Sequence, residues 1–359
     1  MSRLPIKPGV FVQNIRIQPQ SIEGISTSTA AFLGETKMGA TTPTLVTSWL
    51  EYQTLFGGYF GVDKYLPYAV EGFFLNGGKR CYLCKVTNSD YPSALAELEK
   101  FEEISIVYSP NAQAVAGLDD ALIDYCERLR NRFVIFDSLK GQDASGVTKP
   151  HESSFAALYY PWIYVKQTGT GQMCLVPPGG HVAGIYARVD IEQGVHKAPA
   201  NQIVQGAADL EFAVNQRQQD MLNPQGINCI NNFVGRGTRV WGARTLSNSP
   251  ETKYVTVRRL LIYLEQSIAK GTAWATFELN NEATWMKVKT VIENFLIQTW
   301  RAGMLLGVKQ QEAYFVKCDR TTMTQNDIDK GQLNVLIGVA VTKPSEFISI
   351  RVSQTMVSS

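Results

Sequence analysis

Short apolar runs bounded by turn residues alternate along this chain with apolar positions spaced three and four apart. The first pattern reads as strand and the second as helix, because strand side chains repeat every two residues and helix faces every 3.6. Strands are predicted at 29–34, 80–86, 104–108, 132–137 and 157–165. Ser48-Trp49-Leu50-Glu51 is a capping box, opening a helix that Gly57-Gly58 stops. A second helix runs from 67 to 75 and ends at Asn76-Gly77-Gly78. A third spans 114–130, with Val115, Leu118, Leu122 and Tyr125 on one face, and 179–193 contains a fourth. Ser249 as N-cap and Pro250 at N1 start a helix whose apolar face is Val257, Leu260, Leu261, Leu264 and Ile268. Asn280 or Asn281 caps the next, which buries Trp285, Val288, Ile292, Phe295 and Thr299 and stops at Gly303. Strands follow at 313–318, 333–341 and 346–352.

The order of these elements divides the chain. Pro5, Pro8 and Pro19 forbid a helix in residues 1–20, which read as an extended arm carrying strand-like Val10-Phe11-Val12 and Ile15-Arg16-Ile17. Residues 21–94 are an N-terminal α/β part of the core. Strand and helix alternate through 95–245, predicting an α/β middle domain with a largely parallel sheet. Residues 246–344 form a C-terminal α+β domain, and 345–359 a terminal strand.

Composition narrows the function. The hydrophobic fraction of 45% suffices for ordinary cores, while 18% charged residues is below the roughly 25% of soluble domains. Less charge favours a subunit that hides surface in an assembly. The net charge of +2 is no nucleic-acid footprint, which needs a concentrated basic excess. No apolar run approaches the roughly 18 residues of a membrane helix, and the N-terminus lacks a signal-peptide core. The chain is expected to stay in the cytoplasm where it is made, or to leave within a released particle. Six scattered cysteines in a chain this long form no disulfide framework, and are read as reduced and mostly buried.

Catalytic and ligand signatures are absent or broken. There is no G-x-S-x-G elbow. Residues 72–79 imitate a phosphate loop, but Arg80 stands where a Ser or Thr should hold magnesium. Gly235-Arg236-Gly237 begins a dinucleotide fingerprint that Val240 breaks. Cys81 and Cys84 sit in a predicted strand, where an odd offset sends them to opposite faces. Glu192 and His196 are interrupted by Gly194, and His181 follows a turn, so no metal set forms. The polar cluster of Asp319, Asn326, Asp327 and Asp329 reads as a hydrogen-bonded loop. No catalytic, cofactor or metal residue is assigned.

Several strings carry a resemblance. Pro8-Gly9-Val10-Phe11-Val12, the run from Ile22 to Gly34, and Leu45-Val46-Thr47-Ser48-Trp49 with Leu55-Phe56-Gly57-Gly58 resemble the opening of contractile phage tail sheath proteins. So do the run from Tyr65 to Tyr82, Pro178-Gly179-Gly180-His181-Val182-Ala183-Gly184, His196-Lys197-Ala198-Pro199, Val240-Trp241-Gly242-Ala243-Arg244-Thr245, and Phe315-Val316-Lys317-Cys318-Asp319 with Thr322-Met323-Thr324-Gln325-Asn326-Asp327. They run in collinear order along nearly the whole chain. The short length resembles the minimal sheaths of R-type pyocins and extracellular contractile injection systems.

The resemblance implies a structural subunit that polymerises into a helical lattice of hexameric rings around an inner tube, with baseplate, tail-terminator or cap proteins and sheath paralogues as further partners. It implies no nucleic acid, no membrane insertion and no cofactor. Val10, Phe11, Val12, Ile15 and Ile17 of the arm, with Phe347, Ile348, Ile350 and Val352 of the last strand, would link neighbouring subunits by joining their sheets. Lys287, Lys289 and Arg301 on the exposed side of a helix are candidates for gripping the tube. The competing readings are an α/β hydrolase-like or nucleotide-binding enzyme, and a non-contractile structural or adhesin subunit.

Overall fold

The computed structural model describes residues 21–346. Its strands follow as β1 (Ala30–Gly34), β2 (Thr44–Val46), β3 (Cys81–Lys85), β4 (Ile106–Tyr108), β5 (Phe133–Asp137), β6 (Ala156–Tyr160), β7 (Ile163–Lys166), β8 (Met173–Val176), β9 (Gln202–Ile203), β10 (Ala207–Leu210), β11 (Ile227–Phe233), β12 (Gly237–Trp241), β13 (Tyr314–Lys317) and β14 (Leu336–Val339). Nine of them make one sheet in the order β2-β3-β1-β4-β5-β6-β11-β12-β9. The pairs from β3 through β11 are parallel, and the outer pairs β2–β3, β11–β12 and β12–β9 are antiparallel. Residues 21–94 and 95–245 therefore share one sheet.

The apolar runs explain this arrangement. β1, β5 and β6 are buried along their whole length, as parallel strands covered on both faces must be. The α1 helix (Trp49–Tyr52), α2 (Leu66–Leu75), and later α5 (Gly179–Gln193) pack on one face. On the other lie α3 (Tyr91–Leu98) and α4 (Leu118–Leu129), and α6 (Gln216–Leu222) adds Leu222. Cys81 lies in the first core and Cys84 in the second, on opposite faces as the strand spacing predicts. All six cysteines are free, and only Cys174 is less than fully buried.

Close packing of α2 on α5 depends on glycine. A Cβ on Gly180 would sit 2.4 Å from Ala69 Cα, and one on Gly184 would sit 2.4 Å from the Phe73 carbonyl oxygen. The glycines in the 179–184 string thus let two helix backbones meet.

Three predicted elements differ from the sequence reading. The helix expected over 114–130 is α4 from Leu118, because Val115 is extended and Gly117 takes a left-handed φ of 72° before it, so Val115 is not on the helix face. The strand expected at 157–165 is two strands, because Pro161 offers no ladder N–H and the chain leaves the sheet there. β7 then joins β10 and β8 in a separate three-stranded sheet. The helix expected to start at Ser249 is α7 (Val255–Thr272). The Ser249 carbonyl accepts from the Thr252 and Lys253 amides at 3.1 and 2.9 Å, closing a turn. Thr245 N–H donates to Lys253 O and Val255 N–H to Ala243 O, holding 253–255 extended until the helix begins. Ser48 does accept from Glu51 N–H at 3.2 Å, but Glu51 reaches back to Thr47 N–H, one residue early.

In the last third, α7 packs beside α8 (Glu282–Arg301) over β13 and β14, with the short α9 (Gln310–Ala313) and α10 (Gln325–Asp329) at the side. Asn281 caps α8 by accepting from Thr284 N–H at 3.1 Å. The third core joins Leu260 and Leu264 of α7, Val288, Ile292 and Phe295 of α8, and Tyr314 and Val316 of β13.

Candidate assembly surfaces

A cavity of about 350 Å³ lies at the C-terminal ends of β1 and β4, where an open α/β sheet would hold a ligand. Its two cations are both matched: Lys64 pairs with Glu35, and Lys140 Nζ lies 3.3 Å from Asp63. His181 is not at a surface. It is buried in the first turn of α5 against Gly72, Nδ1 finds no partner, and burial pushes its pKa down to about 4. Among the described residues no group of three or more His, Cys, Asp or Glu is placed to hold a metal, and no helix is long and apolar enough to cross a membrane.

Asp137, at the end of β5, plays a structural part. It accepts from Tyr108 Oη at 2.7 Å, Gly179 N–H at 2.7 Å and Asn111 N–H at 3.3 Å, tying the start of α5 to two strands. Burial nevertheless pushes its pKa up to about 7. Its folded pKa lies above the ordinary 3.8, so its contribution to stability is full below 3.8 and is lost as pH rises through about 7. His181 has the opposite sign: its contribution is full above 6.5 and is lost as pH falls through about 4. The two oppose each other on acidification. Asp137→Asn removes one side, so between about pH 7.5 and about pH 5 the variant should lose about 2 kcal/mol more than its parent in urea unfolding. Parallel pH profiles for the two proteins would refute this.

One open strand edge lies in the last third. β13 and β14 pair only with each other as named strands, in the register Tyr314↔Val339 to Lys317↔Leu336. Beyond β14, Leu305 bridges to Val341, and Leu306 N–H donates to Ala340 O. The outer edge of β13 meets no other strand among the described residues. An edge of this kind presents unpaired N–H and C=O groups to another chain. Phe315 and Leu336, each about half exposed at 48% and 52%, add apolar surface beside it. The predicted linking residues Val10, Phe11, Val12, Ile15, Ile17, Phe347, Ile348, Ile350 and Val352 lie outside the described residues.

The proposed tube-gripping residues do not form one patch. Lys287 and Arg301 share the exposed stripe of α8 with Thr290, Asn294 and Gln298, about 21 Å apart at 1.5 Å per residue. Lys289 is turned about 200° from Lys287, by two steps of 100°. It lies on the other flank, 3.9 Å from Glu293 and beside Trp285, Met286 and Asp319.

Two contacts escaped sequence reading. Between α5 and α7, Arg259 grips Asp190 at 3.0 and 2.7 Å and donates to Thr27 O at 2.7 Å, with both side chains nearly inaccessible. Arg244 grips Glu346 in the same two-pronged way.

Similarity to known proteins identifies the family of the chain. Residues 84–246 match the phage tail sheath protein central domain, and residues 247–355 match the phage tail sheath C-terminal domain. The chain belongs to the phage tail sheath protein family. It is 34% identical to a chain of the anti-feeding prophage helical sheath in its contracted state, covering 98% of this sheath protein and 100% of that chain, with a TM-score of 0.83. It is 31% identical to a chain of the contracted PVC sheath complex, an extracellular contractile injection system, covering 99% of both, with a TM-score of 0.84. The tail sheath protein of Vibrio phage KVP40 is 27% identical over 179 residues, which are 49% of this chain and 26% of that protein. The sheath chain thus spans about a quarter of the length of that curated phage relative. It is a structural sheath subunit, with an α/β body and an α+β end.

Proposed function

We propose that this chain forms a helical lattice of six-fold rings around an inner tube, and that contraction of the lattice drives the tube into a target cell. The observation that carries this is the likeness, over 98% of this chain, to a sheath chain in the contracted state. The open edge of β13 supplies the means of polymerisation. Residues 8–17 of one neighbour and 347–352 of another add strands to this sheet, main-chain bonds giving affinity and alternate side chains giving register. A head-to-tail exchange of strands does not close on itself and so builds a helical array. Each link is weak, and several per subunit make the lattice firm. On this reading the chain performs no chemistry. Its other partners are the inner tube, baseplate, cap and any sheath paralogues, and it assembles in the bacterial cytoplasm into a particle that is released.

Negative-stain microscopy of the purified chain, alone and with the inner-tube protein, tests the proposal. Hollow striated tubes of uniform width are expected; a chain that stays monomeric under both conditions refutes it. The same assay separates the α8 residues. Reversing Lys287 and Arg301 together should weaken assembly on the tube several-fold, and more so at low salt. Reversing Lys289 should matter less, because it faces Glu293 on the other flank. Equal effects would remove α8's exposed stripe as the tube contact.

A further inference from the structure

We propose that Arg244 is the anchor fixing where the C-terminal linking segment leaves the subunit, and that this anchor and the root of the N-terminal arm stand at opposite ends of α7, so that this helix carries load between neighbours. The inference rests on the reading that residues beyond 346 link subunits.

The anchor is built from four residues of separate stretches of chain, two of which, Arg244 and Tyr254, also face each other in an isolated β-bridge. Arg244 Nε donates to Glu346 Oε1 at 2.7 Å, and Nη2 donates to Oε2 at 2.5 Å. Arg244 Nη1 also donates to Asn223 O at 2.9 Å, and Tyr254 Oη donates to Glu346 at 3.3 Å. The arginine's own backbone is held in turn: its N–H donates to Asn228 Oδ1 at 2.7 Å, and its carbonyl accepts from Asn228 Nδ2 at 2.8 Å. The guanidinium is therefore positioned before the carboxylate arrives. A two-pronged arginine–carboxylate pair fixes direction as well as distance. The side chains are only 12% and 19% exposed, so this is no solvated surface pair of negligible worth. Burial pushes the Glu346 carboxyl up, yet the Arg244 hydrogen bond and charge outweigh it and hold the pKa below its usual value. The grip holds the chain at Glu346, immediately before residues 347–352, which are read as linking strand.

The other root lies along the same helix. Thr27 O accepts from Arg259, Ile25 N–H donates to Ser267 Oγ at 3.1 Å, and Ile22 packs where a Cβ on Gly271 would be 2.5 Å away. Residues 27 to 22 thus track α7 toward its C-terminal end, while Glu346 is held beside Tyr254 at its N-terminal end. The helix between them has 18 residues, about 27 Å of rigid rod at 1.5 Å per residue. It is bolted to the body by Arg259 and Asp190. A pull on one terminal segment therefore reaches the other through one straight element.

The test compares full-length Arg244→Ala and Glu346→Gln with a variant lacking residues 347–359, each assembled with inner-tube protein and scored by sedimentation and microscopy. Thermal unfolding of the unassembled subunit is the control. Expected are near-parental unfolding of Glu346→Gln, a rise of about tenfold or more in the concentration needed for assembly, and loss of assembly in the truncation. The exchange Arg244→Glu with Glu346→Arg should restore part of the loss. If Arg244→Ala fails to fold, Glu346→Gln and the exchange carry the test. Parental assembly of Glu346→Gln and Arg244→Ala alongside a dead truncation overturns the anchor and leaves the linking segment standing. Parental assembly of the truncation overturns both.

Discussion

Replacing Arg259 by alanine should cost about 3–5 kcal/mol of stability, because it strands a charge inside the protein. Asp190 and Arg259 have side-chain exposures of only 2% and 4%. Without the guanidinium, the Asp190 carboxylate keeps its desolvation penalty and loses both hydrogen bonds. Thr27 O loses a donor as well, and the Tyr186 ring loses the cation 4.9 Å from its centre. Removing both charges should cost far less: Arg259→Met with Asp190→Leu is expected to sit within about 1–2 kcal/mol of the parent, since a buried ion pair barely repays its own desolvation. Urea unfolding of the four proteins forms a double-mutant cycle. A single-variant loss below about 1 kcal/mol would show that water reaches the pair.

Gly184→Ala should be nearly as severe, at about 3 kcal/mol or more. The added methyl would meet the Phe73 carbonyl oxygen at 2.4 Å and Asn76 Cβ at 2.9 Å. The nearest obstacle is main chain within a helix, so it cannot swing aside as a side-chain tip would, and α2 and α5 must separate. Gly146→Ala is the control. Its nearest obstacle is the Asp143 side chain at 3.5 Å, and the change should stay within about 0.5 kcal/mol. Equal unfolding midpoints for the two variants would mean that the helices yield.

These two sites show what the sequence could and could not say. The glycine string at 179–184 was visible, and so were the apolar runs of β1, β3 and β5, because each needs only neighbouring residues to be recognised. The same holds for Asn281 and the buried side of α8. The start of α7 was not legible. Ser249-Pro250 is a good local helix start, but pairing of 243–245 with 253–255 overrides it. Asp190 and Arg259 are 69 residues apart, and Arg244 and Glu346 are 102 apart. Nothing in a linear pattern pairs them; the packing of α5, α6 and α7 does. Lys289 is a different case. Helix geometry alone places it opposite Lys287, so the signal was present in the spacing.

The order of synthesis gives the open edge of β13 a further meaning. Chains leave the ribosome from the N-terminus, and domains fold as they emerge. The nine-stranded sheet draws on residues from Ala30 to Trp241 and has all its strands before Tyr314 is made. Its parallel strands pair over long separations and close slowly, which is when stray partners do most harm. The β13 edge proposed to receive a neighbour's strands emerges only afterwards, from a chain whose body is already available to hold it. On a crowded polysome, an early arm therefore finds no receiving β13 edge until a neighbouring chain is nearly finished.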